Sequence, residues 1–530
     1  VKSISGSGST AIGQLEFADG SGGVTSDAQG NTVAGTGAGA SFSGTNATDN
    51  TLFGKNAGND ITTGDNNTAL GKDALTANTT GYDNTALGTD CLEANQTGIY
   101  NTAVGRSSLN STTTDNNTGV GFASGSATTT GTSCVFVGSY AGLSNTTGSN
   151  NTIVGRGSLY SNTTGGNNTA IGKSALSLNT TSDNNTGVGN EALLANTTGA
   201  QNTALGSQAL DSNTTGSFNV AVGHNALHTN TTGTYNVGIG QTALGANTGG
   251  GNTAVGGGAL EVNTTSGFNT AVGNNALAAN TTGGVNTGLG SFSLYLNTTG
   301  SNNTALGHNS LGNNTTASNN TAVGHYALNA NTTGAENVAI GAVALDANTT
   351  GSQNNAVGYN TLTNNTTGIN NDAFGHNSML SNTTGGYNIA MGRASLDANT
   401  TGSNNVALGP FALTSNTTAN HNVAIGYESL ELNTTGANNV AVGGLALDDL
   451  TSGNGSVAIG YSALTSQTGN AQNTAVGTAA LYSNTSGYYN VALGYECLRE
   501  LTSGINNTAV GKGASAHDLT TGSYNTFIGS

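Results

Sequence analysis

From Asn50 almost to Ser530 one 17-residue unit recurs, reading Asn-Thr-Ala-(Val/Leu/Ile)-Gly-x-x-Ala-Leu-x-x-Asn-Thr-Thr-Gly-x-x. A unit this short buries few side chains alone, so it becomes stable only when neighbours stack on it and continue each buried column. The repeat therefore predicts one turn of a solenoid. Turns start at Asn50, Asn67, Asn84 and Asn101 and continue to Asn507, with one-residue deletions before Asn117 and Asn252. That makes about 28 turns, and the period is too short for two-helix repeats, which need roughly 33 residues. The expectation is an all-β parallel β-solenoid, on the order of 135 Å long at about 4.8 Å per turn.

Composition fits small-residue packing. The chain has 84 Gly, one Pro, no Trp and 7% charged residues, so a core of large apolar side chains is not available. Disorder, the other reading of low hydrophobicity, goes with high net charge and no strict register. The spacing predicts one continuous repeat domain over 50–530 and an irregular segment or cap over 1–49. Within that cap, Ser9–Gly13 and Asn31–Gly35 read as degenerate turns. The chain begins at Val1 and stops at Ser530 inside a turn begun at Asn525, so both ends read as cut from something longer.

Positions 1 to 5 alternate as a short strand does. In Asn269-Thr270-Ala271-Val272-Gly273, Thr270 and Val272 share one face and Ala271 takes the other. Position 4, with Val272 as its example, is expected to be a buried column, and Leu277 at position 9 a second one. Gly273 at position 5 marks a corner that needs positive φ or a very close backbone approach. Asn280-Thr281-Thr282-Gly283 reads as turn chemistry whose Asn amides can bond from coil to coil. Positions 6 to 12 fit either a second strand or one helical turn. Positions 6, 7, 10, 11, 16 and 17 vary and carry most charges and aromatics.

The strand-and-corner signature, clearest in Ser456-Val457-Ala458-Ile459-Gly460 and Ser9-Thr10-Ala11-Ile12-Gly13, resembles the head repeats of YadA-like trimeric autotransporter adhesins. Longer Asn-Thr-Ala-Val-Gly/Ala-Leu/Asn-Thr-Thr-Gly arrays also resemble phage tail-fibre shafts. The resemblance covers roughly 50–530, and the adhesin unit is a few residues shorter. It implies a left-handed β-roll, a homotrimer as the self-partner, and an extracellular, cell-surface or virion location. Residues 1–530 also depart from the pattern of those adhesins in showing neither their coiled-coil stalk nor their membrane anchor, which leaves the kind of parent protein open.

No catalytic constellation, metal site or cofactor motif stands out, and the expectation is a protein that is not an enzyme. His308 and His325 share a column in successive turns, and His224 and His228 share one turn, yet neither pair has an acidic or Cys partner at a matching place. Gly238-Ile239-Gly240-Gln241-Thr242-Ala243 mimics a dinucleotide-binding motif without the long helix that motif needs. Cys91, Cys134 and Cys497 stand where small residues pack, and no apolar run reaches membrane-spanning length. The net charge of −17 is spread over the array, which argues against nucleic acid as a partner. The recurrent Asn-Thr-Thr also matches a glycosylation acceptor, but its locking to the period favours a ladder role.

The function expected is a structural and adhesive fibre shaft projecting a binding surface toward a cell-surface glycan or receptor. Tyr427, Tyr461, Tyr482, Tyr488, Tyr489 and Tyr495 are the candidate contact aromatics. Two alternatives are a self-assembling filament or sheath subunit and an ice-binding β-solenoid. Against ice binding, adjacent Thr-Thr side chains point to opposite faces of a strand, whereas a flat array wants Thr-x-Thr.

Overall fold

The structure is a computed structural model and describes residues 14–15, 23–42, 46–469, 472–515, 517 and 519–529. Ser9–Gly13, read above as a degenerate turn, lies outside the described residues. The chain divides into two compact units, Val1–Asn252 and Thr253–Ser530.

The first unit opens with β1 (Gln14–Leu15), β2 (Val24–Ser26) and β3 (Thr32–Ala34). Pairing is antiparallel from β1 to β2 and from β2 to β3, then turns parallel where β3 meets β4 (Thr51–Phe53). From there each turn adds one three-residue strand, ending in this unit at Val237–Ile239. Each strand pairs in parallel with the one a period later, as in Thr68↔Thr85, Ala69↔Ala86 and Leu70↔Leu87. The second unit repeats this from Thr253–Val255 to Thr526–Ile528. There Thr270 pairs with Thr287, Ala271 with Gly288 and Val272 with Leu289. Each unit is thus an all-β parallel solenoid, and no helix occurs among the described residues.

Positions 6 to 12 are neither a second strand nor a helical turn. They form consecutive tight turns, closed by Ala276 N–H donating to Gly273 O at 3.3 Å and Asn280 N–H to Leu277 O at 3.1 Å. The backbone alternates in hand here, with φ +54° at Asn275 and +53° at Leu277. A left-handed Leu is sterically costly, by roughly 1–2 kcal/mol. The alternation aims successive N–H groups along the stack: Asn275 donates down to Gly257 O at 2.9 Å and Leu277 up to Ser293 O at 2.9 Å. Backbone pairing therefore continues through the non-strand wall, where buried donors would otherwise go unsatisfied.

Gly273 has φ +136°, and a Cβ there would lie 2.6 Å from the carbonyl carbon of Gly290. Leu277 and its file are fully buried, with the small position-8 residue beside them. Asn280 is fully buried too, donating to Asn263 Oδ1 at 2.8 Å and Gly283 O at 2.9 Å. A second amide file runs through position 1, where Asn286 N–H donates to Asn269 Oδ1 at 2.9 Å and Asn286 Nδ2 to Gly300 O at 2.8 Å. The lumen is half aliphatic and half amide. A buried amide is costly unless it is bonded, and the repeat supplies most of these amides with partners above, below and within their own turn, Asn230 Oδ1 and the Asn484 amide being buried exceptions.

The buried-column reading of position 4 is overturned. Ala271 is the fully buried residue of its strand, while Val272 is only half-buried and the next residue in its file, Leu289, is 43% exposed. Leu277 already occupies the lumen opposite: a Cβ on Gly288, at position 3 of the next turn, would sit 3.4 Å from Leu277 Cδ1. Only a methyl fits across that gap, so the larger aliphatic turns out. This also explains why Phe374 and Met391 are tolerated at position 4, since both stand exposed.

Candidate functional surface

Turning position 4 outward creates one face per unit with two parallel files, Thr or Val at position 2 and Val, Leu or Ile at position 4. In the first unit Leu70, Leu87, Val120, Ile171, Leu205 and Ile239 are exposed along it. In the second unit the face becomes wholly aliphatic from Ile389–Met391 through Val406–Leu408, Val423–Ile425, Val440–Val442 and Val457–Ile459. One polar break stands before it, where Asn355 Nδ2 donates to Asp372 Oδ1 at 2.6 Å. Met391 and Ile459 are exposed and Leu408, Ile425 and Val442 between them are half-buried, so this outward aliphatic file is the candidate contact surface.

The hydroxyls at position 13 are committed elsewhere. Thr281 Oγ1 donates to Thr298 O at 3.0 Å, and the same bond repeats at Thr298 and Thr315. The outward Thr-x-aliphatic pattern lies instead on the strand face, as in Thr68 and Leu70.

Of the six singled-out tyrosines, Tyr427, Tyr461 and Tyr495 share position 6 in every second turn, with Gly444 and Thr478 between them. They are exposed by 52%, 59% and 49% and stand about two strand spacings, ~9.6 Å, apart. Lys512 Nζ lies 5.9 Å from the Tyr495 ring centroid. Tyr482 falls at position 10, with the Arg499 guanidinium 5.7 Å from its ring centroid. Tyr488 and Tyr489 sit on the opposite rim of the strand face, packed edge to face at 5.0 Å, with Tyr488 half-buried. The structure thus assembles three of the six into one file and leaves the others apart.

His308 and His325 stack with centroids 5.5 Å apart, flanked by Phe292 and Tyr326. Contrary to the expectation from sequence, His228 has an acidic partner: Asp211, one period earlier at the same position, places Oδ1 2.6 Å from His228 Nδ1. Asp211, Asp346 and Asp397 all occupy position 10, where burial raises each carboxyl and a nearby His opposes the rise. Asp448 is pushed up to about 6 by burial and then by Glu431, Asp449 and Glu428. No cluster of three or more His, Cys, Asp or Glu able to hold a metal occurs among the described residues. Cys91, Cys134 and Cys497 are buried and free, and burial raises the Cys91 thiol to about 11.

No protein-family model and no curated protein matches this chain. No helix among the described residues is long and apolar enough to cross a membrane.

Proposed function

We propose that this chain is the shaft of an extracellular fibre, a structural and adhesive element that carries no enzyme activity and self-associates as a homotrimer through its strand face. The observation that carries the reading is the outward aliphatic file from Met391 to Ile459, which leaves Met391 44% and Ile459 40% exposed in the isolated chain. Water-facing Val and Ile at every turn cost free energy, and burial against copies of the same chain recovers about 25 cal/mol per Å². Identical repeats offer identical files, so symmetric copies match turn for turn. The position-6 tyrosines lie beside this face and supply the rim with which the shaft contacts a cell-surface glycan or receptor.

Sedimentation and electron microscopy of the purified chain test this. Discrete trimeric rods of uniform length are expected, and L408K/I425K/V442K should dissociate them while leaving the thermal melt of each coil in place. A monomer would overturn the reading, and rods of indefinite length would replace it with a self-assembling filament. An ice-binding role has one outward Thr file on the strand face to rest on, as at Thr85, with an aliphatic such as Leu87 standing where a Thr-x-Thr array would place its second Thr. Thermal hysteresis in wild type that is lost in Thr85→Lys would favour it.

A further inference from the structure

We propose that the first unit carries a binding cleft for an anionic saccharide, formed by Tyr140, Arg156, Gly157, Tyr160 and Lys173. It goes beyond the shaft reading, because these residues lie at positions 6, 7 and 10, off the strand face.

Three observations converge on it. The first is a gap. Position 7 carries a side chain in the turns on either side, Tyr140 and Ser174, whereas Gly157 has none, and a Cβ added there would meet nothing within 4 Å. The missing side chain leaves an open cleft of about 380 Å³, lined by Tyr140, Arg156, Tyr160, Lys173 and Ser174. That volume suits a sugar ring with its substituents.

The second is charge. Of nine Lys and Arg in a chain of net charge −17, Arg156 and Lys173 stand in adjacent turns at position 6, and no Asp or Glu occurs between Asp115 and Asp183. Arg156 makes no ion pair among the described residues, and the Lys173 ammonium reaches Glu191 only at 3.8 Å. Two under-neutralised cations one turn apart match a carboxylate or sulfate, with the Arg fork able to take two oxygens at once.

The third is aromatic walls. Tyr140 and Tyr160 flank the gap with ring centroids 6.5 Å apart, and Phe122 holds Tyr140 edge to face at 5.2 Å. Exposed aromatic faces with polar tips pack against the C–H face of a sugar while the hydroxyls bond its rim. A bare anion site would have no use for them.

The test titrates the intact chain, by calorimetry at low and at physiological salt, with a sulfated uronic-acid hexasaccharide, with sialyllactose, with lactose and with inorganic sulfate. Binding of at least one charged saccharide, weakened by salt, is expected; the sulfated and sialylated arms identify the anionic group. R156Q/K173Q should weaken it about tenfold or more. Gly157→Gln should block it by filling the cleft without disturbing the backbone, because Gln208 already holds φ +55° at the same position. No binding of either charged saccharide overturns the proposal. So does lactose binding equally well, inorganic sulfate matching the saccharide, or affinity unchanged in both variants. The oligomeric state, measured on the same samples, reads the shaft proposal separately.

Discussion

Phe136 and Gly125 are matched in size across successive turns: a Cβ on Gly125 would lie 2.7 Å from Cδ2 of the Phe136 ring. Phe136 stands at position 3, where Ala is usual, and Gly125 at position 9, where Leu is usual, so the lumen keeps its volume while the bulk changes walls. Phe136→Ala should therefore empty the site and cost about 3–5 kcal/mol. Gly125→Leu alone should overfill it. The double variant should recover part of the loss, and a thermal-melting double-mutant cycle reads the coupling between the two positions.

The buried amide file makes a different demand. Asn280 Oδ1 accepts from Asn297 Nδ2 at 2.8 Å while its own amide donates to Asn263 and Gly283. Asn280→Ala should cost about 1–3 kcal/mol through bonds left unmade in a dry lumen. Thr282→Ala, at an exposed position two residues on, should leave the melt nearly unchanged.

Asp372 is the one charged residue in the position-2 file of the second unit, with Phe374 beside it and the aliphatic stretch following. A carboxylate carried into an apolar interface opposes association. Asp372→Val should shift the sedimentation equilibrium toward the oligomer. An unchanged equilibrium would remove the strand face from the interface.

Glu431 and Asp448, which stand at position 10 in successive turns, set a pH dependence. With its carboxyl raised from 3.8 to about 6, Asp448 holds in the folded chain a proton that the unfolded chain releases. Its favourable contribution is complete below about pH 3.8 and is lost as the pH rises through about 6. Asp448→Asn removes this pH dependence. The melting temperature of the variant should exceed that of wild type above about pH 6, and the gap should close on acidification.

The 17-residue period by itself determined the solenoid, the parallel in-register pairing and the Leu277 and Asn280 files, because identical residues at fixed spacing can only stack on themselves. It could not say which side of the strand faces inward. A period of two divides Thr270 and Val272 from Ala271 but carries no sign, and the usual preference for burying the larger side chain chose wrongly. The tertiary structure decided that point through the width of the lumen, where Leu277 leaves opposite it only enough room for a methyl. The left-handed backbone at Leu277 was equally hidden, since a Leu with φ +53° contradicts local preference and is held there by hydrogen bonds to the neighbouring turns. The cleft at Gly157 escaped the sequence for the same reason: a gap exists only relative to the side chains that stacking places above and below it.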